Sequence, residues 1–187
     1  MRVLLIDFYD SFTYNLAHYL EALELDLKVV RYDQLSDFPF HEVDAIVLSP
    51  GPGLPNEKIG LNALLNALIG KKPILGVCLG MQALVEFLGG KLINQAIVKH
   101  GVQESIEISN QNGLFTKLPS CIQVGLYHSW MVSCPESWIT ARSLAGVPMA
   151  FERSDLKLYG VQFHPESVLT PFGREILSNF IQIVQHG

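Results

Sequence analysis

Cys78 is the residue whose neighbours most clearly point to chemistry. It follows a short apolar run, with Gly76 and Gly80 two positions to either side. A nucleophile on a sharp strand-to-helix turn needs small neighbours, because its own backbone is strained. A helix starting at Leu79 would also point its positive end at the sulfur, which favours the thiolate. The pattern therefore predicts a catalytic cysteine. A buried packing residue is the alternative, since free cysteines often behave as small hydrophobic side chains.

A second candidate lies far downstream, in the stretch LYGVQFHPES. An apolar strand predicted over residues 158–163 would deliver His164 at its end, where a proline stops the strand. Glu166 follows two residues later and could orient the imidazole and stabilise its charged form. The carboxyl ends of parallel strands meet at one edge of a sheet even when they are distant in sequence. We therefore predict an activated thiol nucleophile built from Cys78, His164 and Glu166, with a structural histidine as the alternative.

The segment LSPGPGLP, at residues 48–55, follows another predicted strand. Its prolines and glycines favour a rigid loop over Gly51, Pro52 and Gly53, in which the backbone amides of the two glycines could point toward a developing oxyanion. The amide of Leu79 is the expected second donor, by analogy with other nucleophile turns. A plain proline-rich turn is the alternative. A phosphate cradle is excluded because the spacing fits no dinucleotide or P-loop pattern and no lysine follows.

Two further places could line a pocket. Gln82 lies one helical turn after Cys78, so its amide could bind a polar substrate or simply brace the turn. Ser129 and Trp130 follow His128 at the predicted end of a strand. A hydroxyl and an aromatic ring there could form a pocket wall, although Trp130 could equally belong to the core.

The end of the first predicted strand carries Tyr9, Asp10 and Ser11. That edge of an α/β sheet is where ligands usually bind, so Tyr9 and Phe12 could face the active site or a partner protein. Capping of the following helix by Asp10 or Ser11 is the competing interpretation.

The elements that must position these residues indicate an α/β fold. In the first half, strands and helices alternate, which favours a parallel sheet with helices on both faces. The predicted strands are 2–6, 27–32, 45–48 and 73–77, and the predicted helices are 12–25, 60–69 and 79–88. The second half favours an antiparallel extension of the sheet, with strands over 92–99, 102–108, 122–126, 148–152 and 158–163. A closing helix is predicted over 173–185.

The length and composition of the chain limit the classes of function it can have. A chain of 187 residues with 49% hydrophobic residues favours one domain, 1–187, with a substantial core. A net charge of −5 gives no electrostatic basis for nucleic-acid binding. The sequence shows neither a signal peptide nor an apolar run of membrane-spanning length. Three cysteines without metal-like or disulfide-like spacing favour a reducing cytoplasm, and the scattered histidines predict no metal site.

Taken together, GVCLGMQ, GVQFHPES and LSPGPG resemble the class I, or triad, glutamine amidotransferases. DFYDSFTYNL and SVLTPFG narrow the resemblance to the small subunits of anthranilate synthase and aminodeoxychorismate synthase. The resemblance covers essentially the whole chain. It implies an open flavodoxin-like sheet and a subunit that needs no cofactor.

The resemblance also implies roles for individual residues. Cys78 would attack the side-chain amide of L-glutamine, His164 would act as general base and acid, and Glu166 would orient it. Glutamine would bind through the Gly51–Gly53 loop, Gln82 and the backbone at Ser129 and Trp130. The ammonia would pass to a larger chorismate-binding subunit. A stand-alone cysteine hydrolase and a catalytically silent scaffold subunit are the alternatives.

Overall fold

Within residues 1–186, the fold is built on one nine-stranded sheet, in the order β2-β1-β3-β4-β9-β8-β7-β5-β6. The computed structural model describes residues 1–186, except the side chains of Ala96 and Ile97. The strands are β1 (Arg2–Asp7), β2 (Asp26–Arg31), β3 (Ala45–Leu48), β4 (Ile74–Val77), β5 (Lys91–Ile108), β6 (Cys121–Ser133), β7 (Ile139–Ser143), β8 (Pro148–Arg153) and β9 (Leu158–Val161). The helices are α1 (Thr13–Glu21), α2 (Leu61–Leu68), α3 (Leu79–Phe87) and α4 (Gly173–His186).

The predicted division of the sheet is confirmed. β2, β1, β3, β4 and β9 pair in parallel, and β9, β8, β7, β5 and β6 pair antiparallel. The central strands are buried on both faces, as expected for parallel strands covered by helices. Helices α1 and α4 pack on one face and α2 and α3 on the other, in two separate apolar clusters.

The long β5–β6 pair differs from the prediction. The segments predicted as two strands, 92–99 and 102–108, form the single strand β5, because register shifts after Asn94 and His100 let the pairing continue. The strand predicted over 122–126 continues to Ser133, so Ser129 and Trp130 lie inside β6 and not at its end. The prediction omitted β7, a short strand between β8 and β5.

Two other boundaries were also wrong. The helix predicted to run to residue 25 ends at Glu21, because the chain turns there and Glu24 adopts a left-handed backbone conformation. The strand predicted over 158–163 ends at Val161. Its pairing with β4 stops at Val77, where the chain turns into α3, and the Val161 carbonyl accepts a hydrogen bond from the Cys78 amide at 2.8 Å. Within residues 1–186, no helix is both long and apolar enough to cross a membrane.

Candidate active site

Cys78 occupies the sharp turn between β4 and α3. Its backbone has φ 52° and ψ −105°, a strained conformation for a residue with a side chain. The flanking glycines permit this turn. A Cβ on Gly76 would overlap the backbone of Gly80, and a Cβ on Gly80 would lie 2.5 Å from the carbonyl oxygen of Leu48. Gly76 therefore allows β4 to approach the start of α3, and Gly80 allows α3 to approach the end of β3.

His164 and Glu166 form the second part of the site. The His164 Nδ1 lies 2.7 Å from Glu166 Oε1, and both side chains are buried. The rings of Phe12 and Tyr127 pack edge-on against the imidazole at centroid distances of 5.1 and 4.8 Å. Phe12 thus faces the candidate active site, one of the two places considered for it from the sequence. The imidazole is held in one orientation by a carboxylate and two aromatic walls.

The electrostatics around His164 favour the charged imidazole. Burial alone would lower its pKa, but the Cys78 sulfur and the Glu166 carboxylate act in the opposite direction and raise the pKa of His164 to about 10. Its Nε2 is buried and has no hydrogen-bond partner among the described residues. The arrangement can therefore hold a proton taken from the thiol, which is the requirement for a cysteine nucleophile paired with histidine.

The loop after β3 is held by hydrogen bonds at Ser49 and lies against the turn that carries Cys78. Ser49 Oγ accepts a hydrogen bond from the amide of Phe8 at 2.9 Å and donates to the Pro50 carbonyl at 2.6 Å. A Cβ added to Gly51 would lie 2.6 Å from a methyl carbon of Leu79, so the loop and the first residue of α3 are in close contact. Gly53 has φ 74°, which favours glycine.

The amides predicted as oxyanion donors are free of other hydrogen bonds. Those of Gly51, Gly53 and Leu79 donate to no group among the described residues. Pro52 accepts a hydrogen bond on its carbonyl from Lys58 Nζ at 2.7 Å, which fixes the middle of the loop. The first amides of a helix and those of a rigid loop are both suited to a developing negative charge.

Gln82 and Trp130 are in contact. The Gln82 Nε2 donates to the backbone carbonyl of Trp130 at 3.2 Å and to Gln162 Oε1 at 3.2 Å. Ser129 and Trp130 are each partly buried on β6, beside the buried His128. Burial lowers the pKa of His128, which therefore stays neutral near neutral pH.

The sequence reasoning missed two residues of the site. Gln162 is fully buried, and its Nε2 lies 3.6 Å from the Cys78 sulfur. Tyr127 supplies one of the aromatic walls of His164, and its hydroxyl lies 3.0 Å from Ser167 Oγ. Gln162 could have been found from its position, because a polar residue within an apolar strand pattern needs a buried partner.

The residues considered for a partner surface lie next to the site. Tyr9 is 46% exposed, donates its hydroxyl to Asp33 Oδ2 at 2.7 Å and carries the Arg31 guanidinium over its ring. Asp10 Oδ1 accepts a hydrogen bond from the Phe12 amide at 2.8 Å, at the start of α1. Ser11 makes no capping hydrogen bond, because the cap position is Phe12. Of the two capping residues considered from the sequence, Asp10 therefore accepts a hydrogen bond next to the cap position, and Ser11 as the cap was wrong.

The family model for class-I glutamine amidotransferases matches residues 4–184. The chain belongs to this family. It is 42% identical to "Anthranilate synthase component 2" of Lactococcus lactis, over 97% of this chain and 94% of that protein. It is 40% identical to "Aminodeoxychorismate/anthranilate synthase component 2" of Bacillus subtilis, over 96% and 95%. A solved glutamine amidotransferase from Thermotoga maritima shares the fold, with a TM-score of 0.80 and 17% identity over 100% and 99% of the two chains.

As a class-I glutamine amidotransferase, the chain acts on an amide donor, and the geometry above gives its candidate catalytic groups. A surface cavity of about 630 Å³, lined in part by Met1, Asp44 and Lys157, contains none of them. These three residues precede β1, β3 and β9, so the cavity lies at the opposite edge of the sheet from Cys78. The candidate catalytic groups lie at the carboxyl edge of the parallel strands.

Proposed function

We propose that this chain is the glutaminase subunit of a chorismate-aminating synthase, with Cys78, His164 and Glu166 as its triad. The observation that carries the proposal is the buried His164–Glu166 pair at 2.7 Å, together with a strained cysteine whose sulfur raises the pKa of that histidine. The amino-acid donor would be L-glutamine. The likeness to synthase components from Lactococcus lactis and Bacillus subtilis supports a larger chorismate-binding partner.

The first half of the reaction makes a thioester. His164 takes the thiol proton, and the Cys78 sulfur attacks the side-chain amide carbon of glutamine. The carbonyl oxygen becomes an oxyanion, and the amides of Gly53 and Leu79, which make no other hydrogen bond among the described residues, would donate to it, with Gly51 in the same loop. His164 then gives its proton to the nitrogen as the C–N bond breaks, and ammonia leaves.

The second half regenerates the enzyme. His164 removes a proton from water, the hydroxide attacks the glutamyl thioester, and the C–S bond breaks to release glutamate. Glu166 stabilises the charged imidazole during both steps, as a buried carboxylate next to a catalytic histidine does. Gln82, Ser129 and Trp130 would bind the rest of the substrate, and the surface of Tyr9, Asp10 and Ser11 would meet the partner.

A related fusion supports the idea that the ammonia is used by an attached domain. The chain is 42% identical to one part of "Aminodeoxychorismate synthase" from Streptomyces griseus, matching 100% of this chain but 27% of that protein. We infer that the present chain supplies ammonia to a separate large subunit. Whether the product is anthranilate or 4-amino-4-deoxychorismate is decided by that subunit.

The test combines this chain with a chorismate-aminating large subunit and compares two nitrogen sources. With glutamine, the pair should form the aminated product and glutamate in equal amounts. Cys78→Ala should abolish the glutamine-dependent reaction but leave the reaction with added ammonium salt unchanged, because the large subunit still receives ammonia. Retained glutamine-dependent turnover in Cys78→Ala would refute the proposal.

The two alternatives predict other results. A stand-alone cysteine hydrolase would cleave peptides or glutamyl conjugates without a partner, so a substrate panel with the isolated chain distinguishes it. A silent scaffold subunit would leave Cys78 unreactive toward a glutamine-like affinity label. The close His164–Glu166 pair supports the active form over the scaffold.

A further inference from the structure

A chain of buried amide groups leads from the backbone of β6 to the nucleophile. Gln162, which lies between β9 and His164, places its Nε2 3.6 Å from the Cys78 sulfur. Its Oε1 accepts a hydrogen bond from Gln82 Nε2, and that same nitrogen donates to the carbonyl of Trp130. Gln162 is fully buried and Gln82 is 4% exposed. Both side chains are therefore fixed by protein contacts and not by bulk water.

The orientation of each side-chain amide follows from the Trp130 carbonyl, which ends this series of hydrogen bonds. A backbone carbonyl only accepts hydrogen bonds, so Trp130 requires the nitrogen of the Gln82 amide to face it. The remaining hydrogen on that nitrogen points to Gln162, so the side-chain oxygen of Gln162 must accept it. Gln162 is then left with its nitrogen toward the sulfur. The opposite orientation of Gln162 would set two amide nitrogens against each other and aim a carbonyl oxygen at the sulfur.

We propose that Gln162 is a catalytic hydrogen-bond donor to Cys78, which stabilises the thiolate and aims it, and that Gln82 acts as the residue that orients Gln162. The inference rests on the proposed function only in taking the Cys78 sulfur as the nucleophile. Hydrogen bonds to a charged acceptor are about twice as strong as neutral ones, so this donor favours the thiolate over the thiol. The second hydrogen of the Gln162 amide remains available while the sulfur reacts.

The arrangement also leaves one atom of Gln82 for the substrate. Its Oε1 accepts no hydrogen bond from the described residues, while its nitrogen is occupied by Trp130 and Gln162. An oxygen held in this way selects an N–H group on the incoming molecule. Gln82 would then link substrate binding to the orientation of the amide that contacts the sulfur.

The test is the pH dependence of Cys78 alkylation by iodoacetamide, followed by mass spectrometry, in the isolated full-length chain. Gln162→Met keeps the length of the side chain but removes the donor. The midpoint of the alkylation profile should rise by about one pH unit, with alkylation about tenfold slower below both midpoints. Gln162→Leu also removes the donor and adds no charge, so its midpoint should rise by a similar amount.

Two more variants give the assay its controls. Gln123→Met removes an exposed amide on β6 that donates to Ser105 Oγ at 2.6 Å, and it should leave the profile unchanged. Gln82→Met leaves Gln162 without its orienting contact, so the midpoint should rise by part of the Gln162→Met shift. Thermal melting shows which variants fold, and Gln162→Leu decides the question if Gln162→Met does not fold.

An unchanged midpoint in folded Gln162 variants would overturn the inference, as would an equal shift in Gln123→Met. The assay contains neither glutamine nor a partner. If the unsubstituted chain never releases glutamate but the midpoint shifts as stated, the proposed function fails while the role of Gln162 stands. If glutamine is hydrolysed but the midpoint does not move, the role of Gln162 fails while the proposed function stands.

Discussion

Gly80→Ala tests how closely the nucleophile turn is fitted to the end of β3. The new Cβ would lie 2.5 Å from the Leu48 carbonyl oxygen and 2.6 Å from the Leu48 Cβ. Since ordinary contact begins near 3.4 Å, either α3 or the end of β3 must move by about 1 Å. The carbonyl belongs to backbone, so no flexible side chain can absorb the displacement.

The expected effect is larger on activity than on stability. Overpacking of this kind costs about 1–3 kcal/mol, partly offset by the roughly 1 kcal/mol that alanine gains over glycine in a helix. A displacement of about 1 Å at a catalytic group costs on the order of 100-fold in rate. The movement would separate Cys78 and Leu79 from the loop that follows Leu48. We therefore expect kcat/KM for glutamine, measured with the partner subunit, to fall about 100-fold.

Gly70→Ala is the matched control. Gly70 has φ +77° and no atom within 4 Å of the added Cβ, so the change strains the backbone by about 1–2 kcal/mol without a clash. It should lower the melting temperature while leaving kcat/KM unchanged. Thermal melting and glutamate release are measured on both variants. A Gly80→Ala protein that folds and keeps kcat/KM within about threefold of the original would refute the reasoning.

Two further predictions concern the carboxyl groups of Glu166 and Glu152. Glu166→Gln keeps the shape of the side chain beside His164 but removes its charge. The pKa of His164 should therefore fall in an NMR titration, and turnover should drop by about two to four powers of ten. Full turnover in this variant would contradict the role of Glu166. Burial raises the pKa of Glu152 to about 7 from 4.5, against a hydrogen bond from the Leu114 amide that lowers it. The folded chain therefore binds a proton that the unfolded chain releases between pH 4.5 and 7, and stability falls as the pH rises through that window. Glu152→Gln should remove this loss, so that the variant is more stable than the original by roughly 3 kcal/mol at pH 8 and equal to it at pH 4 in denaturant unfolding. A difference that does not change with pH would contradict this account.

The sequence was most informative where local rules and tertiary structure agree. The apolar run before Cys78 and the glycines around it predicted a strand, a sharp turn and a helix, and β4, Cys78 and α3 have that form. The parallel order of the central strands followed from their alternation with helices. The side of the sheet on which the candidate residues meet followed from that topology.

It was least informative where pairing between distant strands decides the structure. The length of β5 depends on register shifts opposite β6, which no local pattern in residues 91–108 reveals. The early end of β9 depends on its neighbour β4, which stops at Val77 before the turn at Cys78, and not on the residues of β9 themselves. Ser129 and Trp130 were for the same reason assigned to a strand end when they lie within β6.

The hydrogen bonds between side chains of the site could also not be predicted from the sequence. That Gln82 faces Trp130, and that Gln162 faces the sulfur, depends on side chains brought together from α3, β6 and the segment after β9. The wall formed by Tyr127 likewise depends on how β6 passes beside His164. Sequence spacing gives the candidates, but only the packed sheet shows which of them touch.

The most direct measurement of the central claim is covalent capture of the nucleophile. The chain, bound to its large subunit, is incubated with an electrophilic glutamine analogue and digested, and the adduct is located by mass spectrometry. We expect one adduct per chain on Cys78, blocked by excess glutamine and greatly slowed in His164→Ala. An adduct on Cys121 or Cys134, or labelling of Cys78 that neither glutamine nor His164→Ala affects, would contradict the triad.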